Sequence, residues 1–254
     1  MRRLMQTVPM LWLRSAIFSL GQGVTLVFFS VVGFGLLPFG YELRYRFMSK
    51  WAVFIIWWAK VICGIHYKVK GLENIDKSRP GIVLARHESA WETFFTQTLF
   101  PRQAFVLKRE LLKIPFFGWG MRLLHPIAID RGAGRQALNQ LLTEGQQRLQ
   151  AGIWVVIFPE GTRMPYGTLG KINVGGPMLV AKTKVPTYLI AHDAGKCWPK
   201  NSFIKRPGTI EVTISPPLEP DQLGVKAVTQ AAEAWFLEYS VSKEIAQQEA
   251  LNMK

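Results

Sequence analysis

Between Ser15 and Gly40 the chain carries no charged residue, in the run SAIFSLGQGVTLVFFSVVGFGLLPFG. As a helix this run is long enough to match a hydrocarbon core of roughly 30 Å, which predicts a membrane-associated segment. Arg2 and Arg3 precede the run, and Arg44, Arg46 and Lys50 follow it. Basic residues on both flanks place both ends on the cytoplasmic face. Several glycines and Pro38 interrupt the run, so a helical hairpin dipping into one leaflet stands beside a full span as a reading. A second apolar stretch, Trp51 to Ile65, contains Lys60 and is short for a crossing; its three tryptophans suit a water–lipid interface. A weak cleavage region and a long apolar run argue against a secretory signal peptide, so the segment is expected to stay in the mature protein.

The 254 residues hold 31 basic against 17 acidic side chains, a formal charge of +14. Such a balance favours a polyanionic partner: nucleic acid, an anionic membrane surface or a phosphorylated substrate. No zinc spacing, RNP-like aromatic motif or basic recognition helix supports nucleic acid. Cys63 and Cys197 are not spaced as a pair for metal or redox chemistry and read as reduced thiols. The four histidines at 66, 87, 125 and 192 lack ligand spacing, so no metal site is expected.

After residue 65 the pattern alternates. GIVLAR (81–86), AFVLK (104–108), PIAID (126–130), IWVVIF (153–158), PTYLIAH (186–192) and GTIEVTIS (208–215) read as strands. Helix-like stretches separate them, the clearest being Arg135 to Gln150, whose Leu138, Leu141, Leu142 and Leu149 form an apolar stripe before Gly152. A further helix is expected from Val225 to Lys254. The fold class is therefore α/β, a mixed and largely parallel sheet flanked by helices, with ligands at loops beyond the strand ends. Residues 1–65 form a membrane-anchoring helical segment in this reading and 66–254 a single domain.

Two short motifs carry chemistry. In RHESAWE (86–92), His87 falls in a strand-to-helix loop and Glu92 in the first turn of the following helix. A carboxylate on one ring nitrogen fixes the tautomer of a general base and stabilises the charge that develops as it takes a proton. The same residues also spell a capping box, Ser89 with Glu92 three positions on, which needs no catalysis. In FPEGTR (158–163) a rigid proline, a carboxylate, a glycine permitting close backbone approach and an arginine suited to phosphate follow a strand.

With these two blocks, KRELLKIPFFGWG followed by IAIDR, and VPTYLIAH, the chain resembles the glycerolipid acyltransferases over about residues 81–195. Its one departure is Glu92 where the commoner family form has Asp. The resemblance implies transfer of a fatty acyl group from acyl-carrier protein or coenzyme A to the free hydroxyl of lysophosphatidic acid, giving phosphatidic acid, with no cofactor. It implies His87 as base, Glu92 as its orienting acid, and Lys108, Arg109, Glu160, Gly161, Thr162 and Arg163 as substrate-binding residues. Arg131 is a weaker candidate, with a structural pair to Asp130 or Glu160 as the alternative reading. Acylation of another lysolipid, such as a lyso-ornithine lipid, is the alternative.

Several finer expectations accompany this reading. Glu160 is expected to orient either its own motif or the glycerol moiety, and loss of its carboxylate should raise the Michaelis constant. Oxyanion donors are sought near Lys108 or in the Gly161 turn. The stretch 111–124 is apolar enough to wall an acyl tunnel, and His125 and His192 are assigned packing or structural roles. Basic residues between 160 and 206 (Arg163, Lys171, Lys182, Lys184, Lys196, Lys200, Lys205 and Arg206) suit an anionic lipid surface. The expected location is the bacterial inner membrane, with the domain on the cytoplasmic face.

Overall fold

The computed structural model describes residues 7–218 and 224–252, with side chains through Ser240. Arg2, Arg3 and the last two residues of the expected C-terminal helix lie outside that range. Seven strands form one sheet in the order β1-β7-β6-β2-β5-β3-β4: β1 (Ile65–Lys70), β2 (Ile82–Ala85), β3 (Gln103–Lys108), β4 (Ile127–Ile129), β5 (Trp154–Ile157), β6 (Thr187–His192) and β7 (Gly208–Ile214). Every pairing is parallel except β6 with β7. The central strands β2, β5 and β6 are buried along their whole length, as continuous β-branched and aliphatic runs covered on both faces must be.

Six of the seven strands match the expected runs to within a residue or two. β1 was not expected. It is an edge strand, IHYKVK, with only Ile65 buried, and its polar positions hide it among loop residues.

Helices cover both faces. On one lie α1 (Val8–Gly35), α2 (Tyr41–Cys63), α3 (Trp91–Leu99) and α4 (Phe117–Leu123); on the other lie α5 (Arg135–Gln150), α6 (Gly175–Thr183) and α7 (Val225–Asn252). α1 begins with Pro9 in its first turn, where the missing N–H costs nothing. α2 ends at Gly64, whose φ of 68° supplies the left-handed stop. α2 starts ten residues before the apolar stretch read from sequence, through YELRYRFMSK, because Tyr45 and Met48 pack inward while Glu42, Arg46 and Lys50 face out.

α1 is long and apolar enough to cross a membrane by length and composition, yet one face is fixed to the domain. Ser15, Phe18, Ser30 and Gly33 are buried. Ser30 Oγ donates to the Phe116 carbonyl at 2.8 Å and Ser15 Oγ accepts from the Lys205 N–H at 2.9 Å. The opposite face presents Leu13, Leu20, Val24, Phe28 and Val31 outward. Phe18, Trp51 and Ile55 belong to the same hydrophobic core as Val83, Phe94 and Trp154, so α1 and α2 share the core of the residues that follow. The three tryptophans of α2 divide accordingly. Trp57 is exposed, whereas Trp51 is a core residue whose indole N–H donates to Thr25 Oγ1 at 3.1 Å. A lipid-facing role is thus confined to part of that set.

Gly33 sets how closely α1 approaches. A Cβ there would stand 2.7 Å from Leu123 Cδ1 and 2.8 Å from Met48 Sδ. Gly33→Leu is expected to lower stability by roughly 1–3 kcal/mol through overpacking, read as a lower thermal midpoint in detergent; an unchanged midpoint would mean that α1 does not pack this way.

Candidate active site

The carboxyl ends of β2, β5, β3 and β4 deliver the residues at 86–92, 158–163, 108–109 and 130–131 to one edge of the sheet, the place where open α/β sheets bind ligands. His87 Nδ1 lies 2.8 Å from Glu92 Oε1. The same oxygen accepts the backbone N–H groups of Glu88 (3.0 Å) and Ser89 (2.8 Å). One carboxylate therefore both orients the imidazole and closes the loop ahead of α3.

The capping box is only half formed. The helix starts at Trp91 with Ala90 as N-cap, and Ser89 Oγ accepts from the Trp91 N–H at 3.1 Å, one turn position early. Glu92 is buried, and burial alone would raise its carboxyl. The nearby His192 imidazole, the His87 bond and the backbone N–H donors outweigh that and hold it below the ordinary carboxylate range. With Nδ1 engaged, Nε2 of His87 is the nitrogen left to take a proton.

The backbone of His87 is gripped by the other motif. Its N–H donates to Glu160 Oε2 at 2.7 Å, and its carbonyl accepts the Met164 N–H at 2.6 Å. Its ring stacks on Phe158, centroids 4.2 Å apart and planes at 18°. Glu160 is itself buried, and its second oxygen accepts the Gly170 N–H at 3.1 Å. Both its oxygens are committed to backbone N–H groups, which fits the motif-orienting alternative for Glu160 rather than a contact with the glycerol moiety.

Behind His87 lies a buried charge cluster. Arg86, 1% exposed, contacts Glu88 Oε1 at 3.1 Å, donates to the Thr168 carbonyl at 2.6 Å and reaches Ser240 Oγ on α7 at 3.1 Å. Glu160 Oε1 is 4.0 Å from Arg86 Nε. One guanidinium faces two carboxyl groups, and burial pushes Glu88 up to about 8 against the pull of Arg86 and the Gly195 N–H. Burial raises Glu160 as well. His192 is fully buried, its Nε2 on the Arg86 carbonyl at 2.9 Å and its Nδ1 accepting the Ala194 N–H at 3.3 Å. Its role is structural, and burial lowers its affinity for a second proton.

The cationic candidates separate. Lys108 and Arg163 line a cavity of about 450 Å³ together with His87, Phe158 and Arg131. Arg163 has no ion-pair partner among the described residues, while Lys108 Nζ is 3.4 Å from Glu110. Arg109 is not part of this group: it is exposed, lines neither this cavity nor the one beside it, and donates to Gln140 on α5 at 3.1 Å. Arg131 does not pair with Asp130 or Glu160; it donates to the Gly161 carbonyl. Thr162 is exposed on the loop and Gly161 adopts φ 73°. The Gly161 N–H is spent on the Phe158 carbonyl at 3.0 Å, which removes it as an oxyanion donor.

The rest of the cavity is largely apolar, walled by α1 (Gly23, Leu26), α3 (Phe94) and α4 (Phe117, Met121), with Ser19, Gln22, Thr93 and Gln97 as its polar side chains. The α4 residues come from the stretch expected to wall a tunnel; the contribution of α1 was not foreseen, nor was Phe158, although it stood in the quoted motif. Two of the basic residues assigned to a lipid surface are engaged elsewhere. Lys196 bonds Asp193 at 2.5 Å, and Lys205 is buried within 6 Å of the Phe18, Trp198 and Phe203 rings. His125 packs its ring on Tyr41 with centroids 4.5 Å apart, a packing role as expected. Among the described residues no cluster of three metal-ligating side chains occurs.

Two predictions follow from the buried groups. Glu88 binds its proton more tightly folded than unfolded, so its contribution to stability is complete below about 4.5 and is lost as pH rises toward 8. Relative to wild type, Glu88→Gln should therefore gain stability between pH 5 and pH 8, by about 1 kcal/mol or more, and the gain should level above pH 8; melting curves across that range would show a flat difference if the carboxyl were ordinary. Glu160→Ala strands the N–H groups of His87 and Gly170, at about 1–3 kcal/mol each. It should lower the melting point and kcat, and a variant that raises only the Michaelis constant would restore the ligand role.

The Acyltransferase family profile matches residues 66–193. The chain is 44% identical over 231 residues to the 1-acyl-sn-glycerol-3-phosphate acyltransferase of Pseudomonas aeruginosa, covering 89% of this chain and 90% of that one. It is 30% identical over 234 residues to a chloroplast 1-acyl-sn-glycerol-3-phosphate acyltransferase of Brassica napus, covering 89% of this chain and 67% of that one. Its fold is that of the crystal structure of the Thermotoga maritima 1-acyl-sn-glycerophosphate acyltransferase, with a TM-score of 0.77 at 23% identity over 91% of this chain and 95% of the other. A histidine backed by a buried carboxylate, a largely apolar cavity lined also by Lys108, Arg131 and Arg163, and these likenesses converge: the chain belongs to the acyltransferase family, with relatives called 1-acyl-sn-glycerol-3-phosphate acyltransferases.

Proposed function

We propose that the protein esterifies the free hydroxyl of lysophosphatidic acid with a fatty acyl group from a thioester, acyl-CoA or acyl-carrier protein, forming phosphatidic acid. The observation that carries this is the His87–Glu92 pair opening onto an apolar cavity whose mouth holds Lys108, Arg131 and Arg163. His87 Nε2 takes the hydroxyl proton as the oxygen attacks the thioester carbonyl, and Glu92 stabilises the imidazolium that forms. Collapse of the tetrahedral intermediate expels the thiolate, which takes the proton back from His87. Positioned general-base catalysis of this kind contributes on the order of 10²–10⁴-fold. The cations hold the acceptor's phosphate, Arg163 and Arg131 as planar donors and Lys108 as a point charge. The transferred chain occupies the apolar cavity.

The membrane supplies the acceptor. α1 is held to the domain along one face and shows an apolar stripe on the other, which suits a helix lying within one leaflet better than one surrounded by lipid. In this reading α1 and α2 form the hairpin that seats the protein on the inner membrane, with the sheet on the cytoplasmic side.

The test is to offer purified protein lysophosphatidic acid and lysophosphatidylcholine in parallel with palmitoyl-CoA. Phosphatidic acid should form and the choline lipid should be a poor acceptor. His87→Ala should lose about two to four orders of magnitude in kcat while melting as wild type does; near-parental turnover from a folded His87→Ala protein overturns the assignment, and equal use of both acceptors overturns the phosphate role.

A further inference from the structure

A second cavity, of about 420 Å³, lies on the other side of the Phe158 wall. It shares Val106, Arg131 and Phe158 with the first cavity. Otherwise the two are built from opposite faces of the sheet. α1 to α4 wall the first, whereas the second is walled by the opening turns of α5 and α6 and by β4 and β5. Its apolar lining includes Ala137, Leu138 and Val174; its charged residues are Arg131 and Arg135, with no carboxylate among them.

We propose that this second cavity receives the phosphopantetheine arm of the acyl thioester donor. The inference rests on the reading of the protein as a thioester-dependent acyltransferase. A donor must set its carbonyl beside His87, which lines the first cavity alone. Its acyl chain runs from that point into the first cavity, so the remainder of the molecule needs a separate exit. The second cavity meets the first at the shared wall and lies on the α5 and α6 side of the sheet, away from α1 and α2. Its largely apolar lining suits the amide and gem-dimethyl portion of the arm, and the charge of Arg135, which lines this cavity and not the first, suits the phosphate at its end. The acceptor, arriving from the lipid side, keeps the first cavity's mouth. Acyl-CoA and acyl-carrier protein share this arm, so both use the same cavity.

The chain has two cysteines, Cys63 and Cys197, both buried. Val174 is 54% exposed at the rim of the second cavity, so Val174→Cys installs an accessible thiol there. S-hexadecyl-CoA, a non-transferable thioether, should slow maleimide labelling of that thiol roughly tenfold at ten times its Kd, and lysophosphatidic acid should not. Separately, Ala137→Phe and Arg135→Glu should each raise the Michaelis constant roughly tenfold for palmitoyl-CoA and for palmitoyl-acyl-carrier protein alike, with that for lysophosphatidic acid unchanged. Protection by lysophosphatidic acid, or a rise confined to the acceptor, assigns the cavity to the acceptor and overturns the proposal. A shift with one donor only places the recognition in the carrier and overturns the shared arm. No protection and no shift, in a protein that does transfer palmitate from CoA to lysophosphatidic acid, overturns this inference alone. Absence of that wild-type transfer instead removes the functional reading beneath it.

Discussion

The site depends on how the backbone of His87 is held. Its N–H and carbonyl are both taken by the loop after β5, through Glu160 and the Met164 N–H, while its ring is taken by Glu92 from α3 and by Phe158 beneath it. Two segments about seventy residues apart in sequence are thereby locked at the ends of adjacent parallel strands. General-base catalysis tolerates little misplacement; four contacts from two elements leave the imidazole few ways to move.

That grip requires buried carboxylates, and the carboxylates require Arg86. Arg86 reaches both Glu88 and Glu160, so removing its guanidinium would leave two buried carboxyl groups without that partner, a larger loss than the contacts themselves contribute. Arg86 also reaches Thr168 and Ser240, which ties the His87 loop to the 165–170 loop and to α7. The last long helix of the chain thus bears on the position of a residue more than a hundred and fifty positions earlier. Glu92 is held low beside this cluster by the three donors that converge on one of its oxygens, whereas Glu88, with one backbone donor and a guanidinium it shares with Glu160, is pushed up by burial.

Strand-forming runs, the α5 stripe and the pairing of His87 with Glu92 were legible in the sequence because each is a local pattern: an apolar run bounded by turns, a period near 3.6, or a loop next to a helix start. What was not legible depends on burial. Glu160 reads as a ligand in a motif that also holds Arg163, but the carboxylate points inward and the guanidinium outward. Arg109 follows Lys108 directly and diverges from it where β3 ends. β1 has almost no inward face to betray it, and the polar start of α2 is helical only because Tyr45 and Met48 find a core across the chain. The whole-segment reading of the first quarter as an anchor captured its apolarity and missed that part of that apolarity is spent on the domain itself.

That last point links the membrane to the chemistry. If α1 were only an anchor, its inner face would owe nothing to the reaction. Instead Gly23 and Leu26 of α1 help to wall the cavity onto which His87 opens, and Gly33 and Ser30 fix the helix against α4 on the same wall. In the proposed membrane seating, a helix with lipid on one side and the cavity on the other makes the volume available to the acyl chain depend on how α1 sits. Its inner face is packed on α2 and α4, so in that reading pulling α1 from the membrane would loosen the cavity wall without touching His87, Glu92 or the cations. Membrane seating and acyl-chain binding are, on this geometry, one packing problem shared by a single helix.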